Sequence, residues 1–202
     1  MEVRMTVSSV YIEREPLVAM LCAAIEVYPR ECLGLVFGRK SSRRAPRHVI
    51  TNVLNCAALT RHTTAEVVQS KRAGKRLYAF IDAVERLLPY IGFYHSHTEK
   101  TLRWQQFGFS HQDALTMSDA DQFGIVLTVH PRTSRRLRWC VRSSHTRLRG
   151  SLGAFDFHLT AHALVRDAEG NCEKDDEGNW KTRRLPIEVA PQVLRALNRA
   201  LV

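Results

Sequence analysis

Two short stretches of the sequence combine residue types that can hold a metal ion. The first is the apolar and aromatic run 91–97, which ends in His95-Ser96-His97, and the second is Ser110-His-Gln-Asp113. Alternate residues of a strand face the same way, so the imidazoles of His95 and His97 can hold one ion. Asp113 can supply a carboxylate oxygen as a third ligand, because a helical first turn places it beside Ser110. Two histidines, one carboxylate and an open fourth position are typical of catalytic zinc rather than structural zinc.

Such a site needs a base that takes a proton from water, and Glu31 is the candidate. It follows Pro29, which ends a predicted helix, and it precedes an apolar stretch, so it lies at a helix-to-strand junction. An isolated acid at this place would be interpreted as an exposed loop residue. Ser110 and Asp113 also fit an N-terminal capping box, which is compatible with metal binding because a helix start holds both side chains rigidly. Together, the three stretches favour a catalytic site.

These residues resemble the JAMM/MPN+ family, the zinc peptidases of the Mov34/MPN/PAD-1 type. The family pattern is a glutamate, then His-Ser/Thr-His, then Ser-x-x-Asp, and the sequence matches it in order with Glu31, His95-Ser96-His97 and Ser110-x-x-Asp113. The resemblance covers roughly residues 10–165 and includes prokaryotic homologues of the proteasome-lid deubiquitinase. Two features depart from the pattern. Thr98 stands where the family usually has proline, and twelve residues separate the His-Ser-His box from Ser110 where about seven are usual.

The resemblance implies an α/β protein with the MPN fold, a cytidine-deaminase-like architecture. Its central sheet is mixed and mostly antiparallel, and helices flank it. Residues 1–165 would form the MPN+ catalytic domain. Residues 166–202 would form a hairpin and helix extension that packs on the same domain.

The resemblance also implies a mechanism and a set of partners. Zn²⁺ would be held by His95, His97 and Asp113, with Glu31 as general base and Ser110 as the donor to the oxyanion. The substrate would be the C-terminal tail of ubiquitin or a ubiquitin-like protein in its conjugates, and the enzyme an isopeptidase or deubiquitinase. The proteasome or another MPN subunit is a further partner that the family suggests.

Composition is ordinary for a soluble globular protein of 202 residues, with 45% hydrophobic residues. The five cysteines are scattered and contain no CxxC, which favours a reducing cytoplasm over a disulfide framework. The longest uncharged apolar run, residues 17–25, is too short to span a membrane, so no membrane partner is predicted. The net charge of +10 is interpreted as a solvated basic surface, and nucleic-acid binding is not favoured as the main function.

Periodicity predicts the elements that position the site. A helix begins near Pro16, and a second helix covers 71–88 and leads directly into the strand that carries the His-Ser-His box. The aromatic residues within 98–109 either pack under their own loop or form a lid or substrate wall. The other predicted elements are a strand at 32–39 closed by Gly38, its hairpin partner at 47–59, strands at 123–130, 137–142 and 155–165, and a final helix from Pro191.

Four alternatives compete with the zinc peptidase. A degenerate MPN scaffold would usually lose the ligands, and a RadC-like protein would be linked to DNA. His158 and His162 have the spacing of an HExxH motif, but Leu159 replaces its glutamate and the segment alternates like a strand, so both histidines are predicted to be structural. A cysteine protease based on Cys32 or Cys140 has no local signature in its favour.

Overall fold

The computed structural model describes twelve segments of the chain, which hold most of the predicted core. The described residues are 9–41, 47–56, 60–62, 67–69, 71–84, 86–98, 109, 113–114, 117, 123–133, 135–142 and 145–199. Ser110 and most of the 98–109 connection lie outside them.

The described segments form helices and short to medium strands. The helices are α1 Arg14–Val27, α2 Lys71–Val84 and α3 Pro191–Arg199. The strands are β1 Ser9–Ile12, β2 Leu33–Ser41, β3 Arg47–Asn55, β4 Thr60–His62, β5 Val67–Gln69, β6 Tyr90–Thr98, β7 Phe123–Pro131, β8 Cys140–Arg142, β9 Arg147–Leu152, β10 Phe155–Leu164, β11 Thr182–Leu185 and β12 Ile187–Val189. Among the described helices, none combines the length and apolar character needed to cross a membrane.

Ten strands form one mixed sheet, which confirms the predicted α/β class. The order is β12-β1-β3-β2-β6-β7-β10-β9-β8, and β11 pairs with β10. The pairs β1–β12, β1–β3 and β6–β7 are parallel, and the remaining pairs of this sheet are antiparallel. Strands β4 and β5 form a separate hairpin. Strand β6, which carries both histidines, therefore lies in the middle of the sheet between β2 and β7.

Helices α1 and α2 cover opposite faces of the sheet near the site. Strand β2 alternates between them, because Val36 joins the main core with α1, whereas Leu35 and Phe37 join a smaller cluster with α2. The C-terminal residues 185–197 contribute side chains to the main core as well. The chain after residue 165 thus adds to the same core, and the domain boundary there stays a prediction.

Several predicted boundaries were wrong for identifiable reasons. Gly38 does not end β2: a Cβ there would lie 2.0 Å from the Val49 carbonyl oxygen, so glycine permits a bulge through which the strand continues. Helix α2 ends at Val84 rather than at residue 88. Strand β8 begins at Cys140 rather than at residue 137, because the amides of Leu137 and Trp139 donate to side chains instead of a neighbouring strand. Strand β3 ends at Asn55, and residues 57–59 of its predicted extension lie outside the described residues.

Candidate metal centre

The two histidines of the His-Ser-His box are held by a strand that is paired on both sides. Strand β6 pairs antiparallel with β2 and parallel with β7 in the register Leu33↔His95↔Val126. His95 and His97 are 6% and 8% exposed, and their imidazoles lie on the same face, as the strand period requires. The predicted geometry of this box is therefore present.

The carboxylate of Asp113 lies close to the Nε2 atoms of both His95 and His97. Its Oδ1 lies 3.0 Å from His95 Nε2, and its Oδ2 lies 3.5 Å from His97 Nε2. The two Nε2 atoms are 3.0 Å apart. A tetrahedral zinc ion with ligands at about 2.0–2.2 Å spaces its ligand atoms roughly 3.3–3.6 Å apart, so these donors fit one ion with small adjustments. In the described part of the chain, His95, His97 and Asp113 form a group compatible with metal binding.

The electrostatics of this group favour an ionised carboxylate. Burial alone would raise the pKa of Asp113, but hydrogen bonds and charge from His95 and His97 outweigh it and hold that pKa well below its ordinary value. Burial likewise opposes a charge on His97. The hydrogen bond and charge of Asp113, with a smaller contribution from the Glu31 carboxylate, nevertheless raise the pKa of His97. The ionised carboxylate of Asp113 therefore favours a metal cation at this place, and a proton on His97 competes with that cation.

Glu31 lies beside this group because the hydrogen bonds between β2 and β6 continue to Cys32, just before the first residue of β2. The Ser96 amide donates to the Cys32 carbonyl oxygen at 2.9 Å, and the Cys32 amide donates to Ser96 Oγ at 2.8 Å. Extending the register from these bonds brings Glu31 level with His97. Glu31 is 7% exposed, and its charge contributes to the raised pKa of His97. The predicted base is therefore a buried carboxylate close to the candidate metal ligands.

Sequence reasoning missed two residues that support the site. Ser96 was considered only as part of the His-Ser-His motif, but its hydroxyl accepts a hydrogen bond from the Cys32 amide and so fixes the backbone next to Glu31. His162 lies on β10, as predicted, where it stacks on Phe109 at 5.0 Å between ring centroids. Burial, helped by the charge of Arg184, lowers the pKa of His162 to about 4, and Asp113 and His95 also act on it. Knowledge of which residues lie opposite each other on neighbouring strands would have identified Ser96 and His162, but a single sequence does not contain this information.

The alternative site built from His158 and His162 is not formed. Both residues lie on β10 and face the same side, but they are four positions apart along the strand, a distance of roughly 13 Å. His158 stacks on His130 instead, with ring centroids 5.7 Å apart. Both histidines were predicted to be structural, and their place in a strand agrees with that prediction. The predicted oxyanion donor, Ser110, lies outside the described residues.

Comparisons with known proteins place the chain in a family. Residues 14–141 match the family model of prokaryotic homologues of the JAB domain, a range that contains Glu31, both histidines, Ser110 and Asp113. A comparison with curated proteins gives no match. Among solved structures, the chain matches the solution structure of protein DSY2949 from Desulfitobacterium hafniense. The sequence identity is 14%, the TM-score is 0.49, and the match covers 90% of this chain and 92% of that one. Since the family model covers more than half of the sequence, the chain belongs to the prokaryotic homologues of the JAB domain.

Proposed function

We propose that this chain is a zinc-dependent isopeptidase of the JAMM type with an MPN-type fold. It hydrolyses the amide bond that follows the C-terminal tail of ubiquitin or a ubiquitin-like modifier. One observation carries the proposal: the donor atoms of His95, His97 and Asp113 converge within hydrogen-bonding distances, and the buried carboxylate of Glu31 lies beside them. The family, which includes metallopeptidases, supports the same chemistry.

The donor set favours zinc over the hard divalent cations. Two imidazole nitrogens and one carboxylate oxygen suit Zn²⁺, whereas Mg²⁺ and Ca²⁺ prefer six or more oxygen ligands. Three protein ligands leave a fourth position for water or substrate, which is the arrangement of catalytic zinc sites. The residues present therefore fit a catalytic zinc ion held by His95, His97 and Asp113.

The protein side chains divide the reaction between them. When bound, zinc supplies a Lewis acid that lowers the pKa of water towards about 7 and polarises a carbonyl group. Glu31 accepts the proton of the attacking water and then delivers it to the leaving amine, as a general base followed by a general acid. Ser110, by the family resemblance, donates a hydrogen bond to the oxygen that becomes negative. Burial of Glu31 and both histidines excludes competing water and strengthens each of these interactions.

The position of β6 limits how a substrate tail can bind. An extended tail in this family is expected to pair through its backbone beside the site. Both edges of β6 are already paired at His95, with β2 on one side and β7 on the other. We therefore infer that the tail pairs with a segment other than β6, next to the metal centre.

The test is cleavage of ubiquitin and ubiquitin-like conjugates by the wild type and by Glu31→Gln, with and without a zinc chelator. The wild type should cleave at the end of the modifier tail. The chelator should abolish cleavage, and the substitution should lower its rate about 100- to 10,000-fold. Zinc content, measured on the same samples, should stay close to one ion per chain in Glu31→Gln. If the protein neither binds zinc nor cleaves any conjugate, the proposed enzymatic function is wrong and a scaffold role is favoured.

A further inference from the structure

Phe109, four residues before Asp113, is half-buried and packs into an aromatic socket that consists of Phe93, His95, Gly124 and His162. Its ring stacks on His162 with centroids 5.0 Å apart and an interplanar angle of 17°. On the other side, its centroid lies 6.4 Å from those of Phe93 and His95. One wall of the socket is therefore a metal ligand itself.

The sheet provides the floor of the aromatic socket. Phe93, Gly124 and His162 are neighbours across β6, β7 and β10, so they face the same side in one row. A Cβ on Gly124 would lie 2.8 Å from Phe109 Cε2 and 2.9 Å from Phe93 Cζ. The absence of a side chain at Gly124 thus creates the notch that the Phe109 ring fills.

His162 suits this role because it is buried and uncharged at neutral pH. It is 5% exposed, and its Nε2 has no hydrogen-bond partner among the described residues. Burial, together with the charge of Arg184, lowers its pKa to about 4. A neutral imidazole presents a flat face against which an aromatic ring packs well.

Anchoring Phe109 restricts where Asp113 can lie. Four residues of chain span at most about 14 Å, so a fixed Phe109 confines the Asp113 carboxylate to the neighbourhood of the histidines. The connection between His97 and Ser110 has twelve residues. Lengthening a loop costs little entropy but widens the region that its far end explores. An anchor at the end of that connection removes this freedom just before the Ser-x-x-Asp segment.

We propose that Phe109 is a positioning residue for the metal centre: seated in the aromatic socket, it fixes the third ligand, Asp113, opposite His95 and His97. Phe109 supplies none of the converging donor atoms, and it acts through the placement of the Asp113 carboxylate. The inference rests on the proposed metal site, and it assigns a role to a residue outside the Glu, His-Ser-His and Ser-x-x-Asp positions.

The first test is metal affinity of the whole chain, measured by competition with a chromophoric chelator for Zn²⁺ and by the absorption spectrum of the Co²⁺ form. Phe109→Ala should weaken binding about 10- to 100-fold, the range typical of residues that orient metal ligands, and should change the Co²⁺ spectrum. Phe109→Leu, which keeps an apolar side chain in the notch, should recover most of the affinity. Affinity and spectrum unchanged in Phe109→Ala would overturn the proposal.

Phe155→Ala is the matched control. Phe155 is also half-buried and makes one edge contact, with Tyr28 at 4.9 Å, but it lies on the opposite face of β10. It should lower thermal stability without changing metal affinity. An equal loss of affinity in Phe155→Ala would mean that general destabilisation explains the effect of Phe109→Ala, and this would overturn the positioning role.

A size exchange tests the aromatic socket directly. Gly124→Ala should weaken metal binding, because the new methyl group overlaps the Phe109 ring. Adding Phe109→Leu removes the overlapping ring atoms, so the double variant should bind metal more tightly than Gly124→Ala alone. A double variant that binds more weakly than Gly124→Ala would contradict the contact between the two residues.

Hydrogen exchange of the metal-free protein separates this inference from the proposed function. Phe109→Ala should accelerate exchange in the peptide that contains Asp113 to Met117, where the Met117 amide donates to the Ala114 carbonyl oxygen, and leave β2 unchanged. Unchanged exchange in that peptide would overturn the proposal that Phe109 fixes the Asp113 segment. A wild type that binds neither Zn²⁺ nor Co²⁺ would overturn the proposed function, and the exchange result would still decide whether Phe109 fixes the Asp113 segment.

Discussion

The candidate metal centre has two halves that are held by different kinds of contact. The sheet half consists of Glu31, His95 and His97, which the β2–β6 ladder holds in register through backbone hydrogen bonds. The segment half consists of Asp113 and its proposed anchor Phe109, which follow β6 after a long connection. Among the described residues, Phe109 stacks on His162 and the Asp113 carboxylate contacts His95. A ladder shares its backbone hydrogen bonds among many residues, whereas the contacts described for the segment half are made by side chains.

Replacing Glu31 tests whether the sheet half carries the chemistry, and it should have the largest effect. Glu31→Gln keeps the shape of the side chain but removes the base, so the cleavage rate should fall about 100- to 10,000-fold. Zinc content should not change, because Glu31 is not one of the three converging ligands. Single-turnover cleavage of a ubiquitin-like conjugate, with zinc measured on the same sample, checks both expectations. Loss of zinc together with activity would make Glu31 part of the binding site instead.

Ser110→Ala tests the chemistry of the segment half. If Ser110 donates to the oxyanion, as the family resemblance implies, the turnover rate should fall about 100- to 1000-fold while the affinity for zinc stays the same. A comparison of kcat and KM with the wild type is informative, because an interaction made only in the transition state lowers kcat and leaves KM unchanged. A variant with wild-type kcat would remove Ser110 from the mechanism.

Ser96→Ala tests how rigidly the sheet half is held. The buried Cys32 amide loses the Ser96 hydroxyl as its acceptor, which should lower the free energy of unfolding by about 1–3 kcal/mol. Because this bond fixes the backbone beside Glu31, turnover should also fall, with zinc affinity retained. Ser96→Thr is the matched control, since it keeps the hydroxyl. The opposite pattern, with zinc affinity reduced and turnover normal, would show that the two halves are not separable.

The sheet half was predictable because local patterns specify it. An apolar run that ends in His-Ser-His indicates a buried strand, and a helix stopped by Pro29 places Glu31 before the next strand. The central mixed sheet followed from the family resemblance together with such runs. Strand β9, Arg147–Leu152, carries two arginines, a glycine and a serine and has no strong strand signal, so it was missed.

The segment half was harder to predict because long-range packing determines it. Nothing in the residues 98–109 indicates that Phe109 contacts His162, which is more than fifty positions away. Gly124 was interpreted only as part of an apolar strand. In the structure, its lack of a side chain leaves space for the Phe109 ring. Such contacts depend on the order and register of β6, β7 and β10, which one sequence does not reveal.

The pH dependence links the two halves through His97 and Asp113, and it should be the smallest effect. Asp113 raises the pKa of His97 in the folded protein, against the opposing effect of burial. Protonated His97 therefore stabilises the fold. This contribution is fully present below the unfolded pKa of about 6.5 and is lost as pH rises through the folded pKa. The contribution is about 1.4 kcal/mol for each unit by which the pKa is raised. Zinc binding needs neutral imidazole, so its affinity should change in the opposite direction and strengthen over the same pH window.

The comparison with Asp113→Asn separates the effect of Asp113 from that of the histidines on which it does not act. Burial lowers the pKa of His48, His158 and His162 to about 4, so these residues destabilise the fold as pH falls below about 6.5. His48 and His158 do so equally in both proteins, whereas the charge of Asp113 also raises the pKa of His162, in the same direction as that of His97. The difference in free energy of unfolding between metal-free wild type and Asp113→Asn, measured by urea denaturation at several pH values, should therefore shrink as pH rises above about 6.5. A constant difference would mean that Asp113 does not pair with His97 in solution, and that the segment half is open without metal.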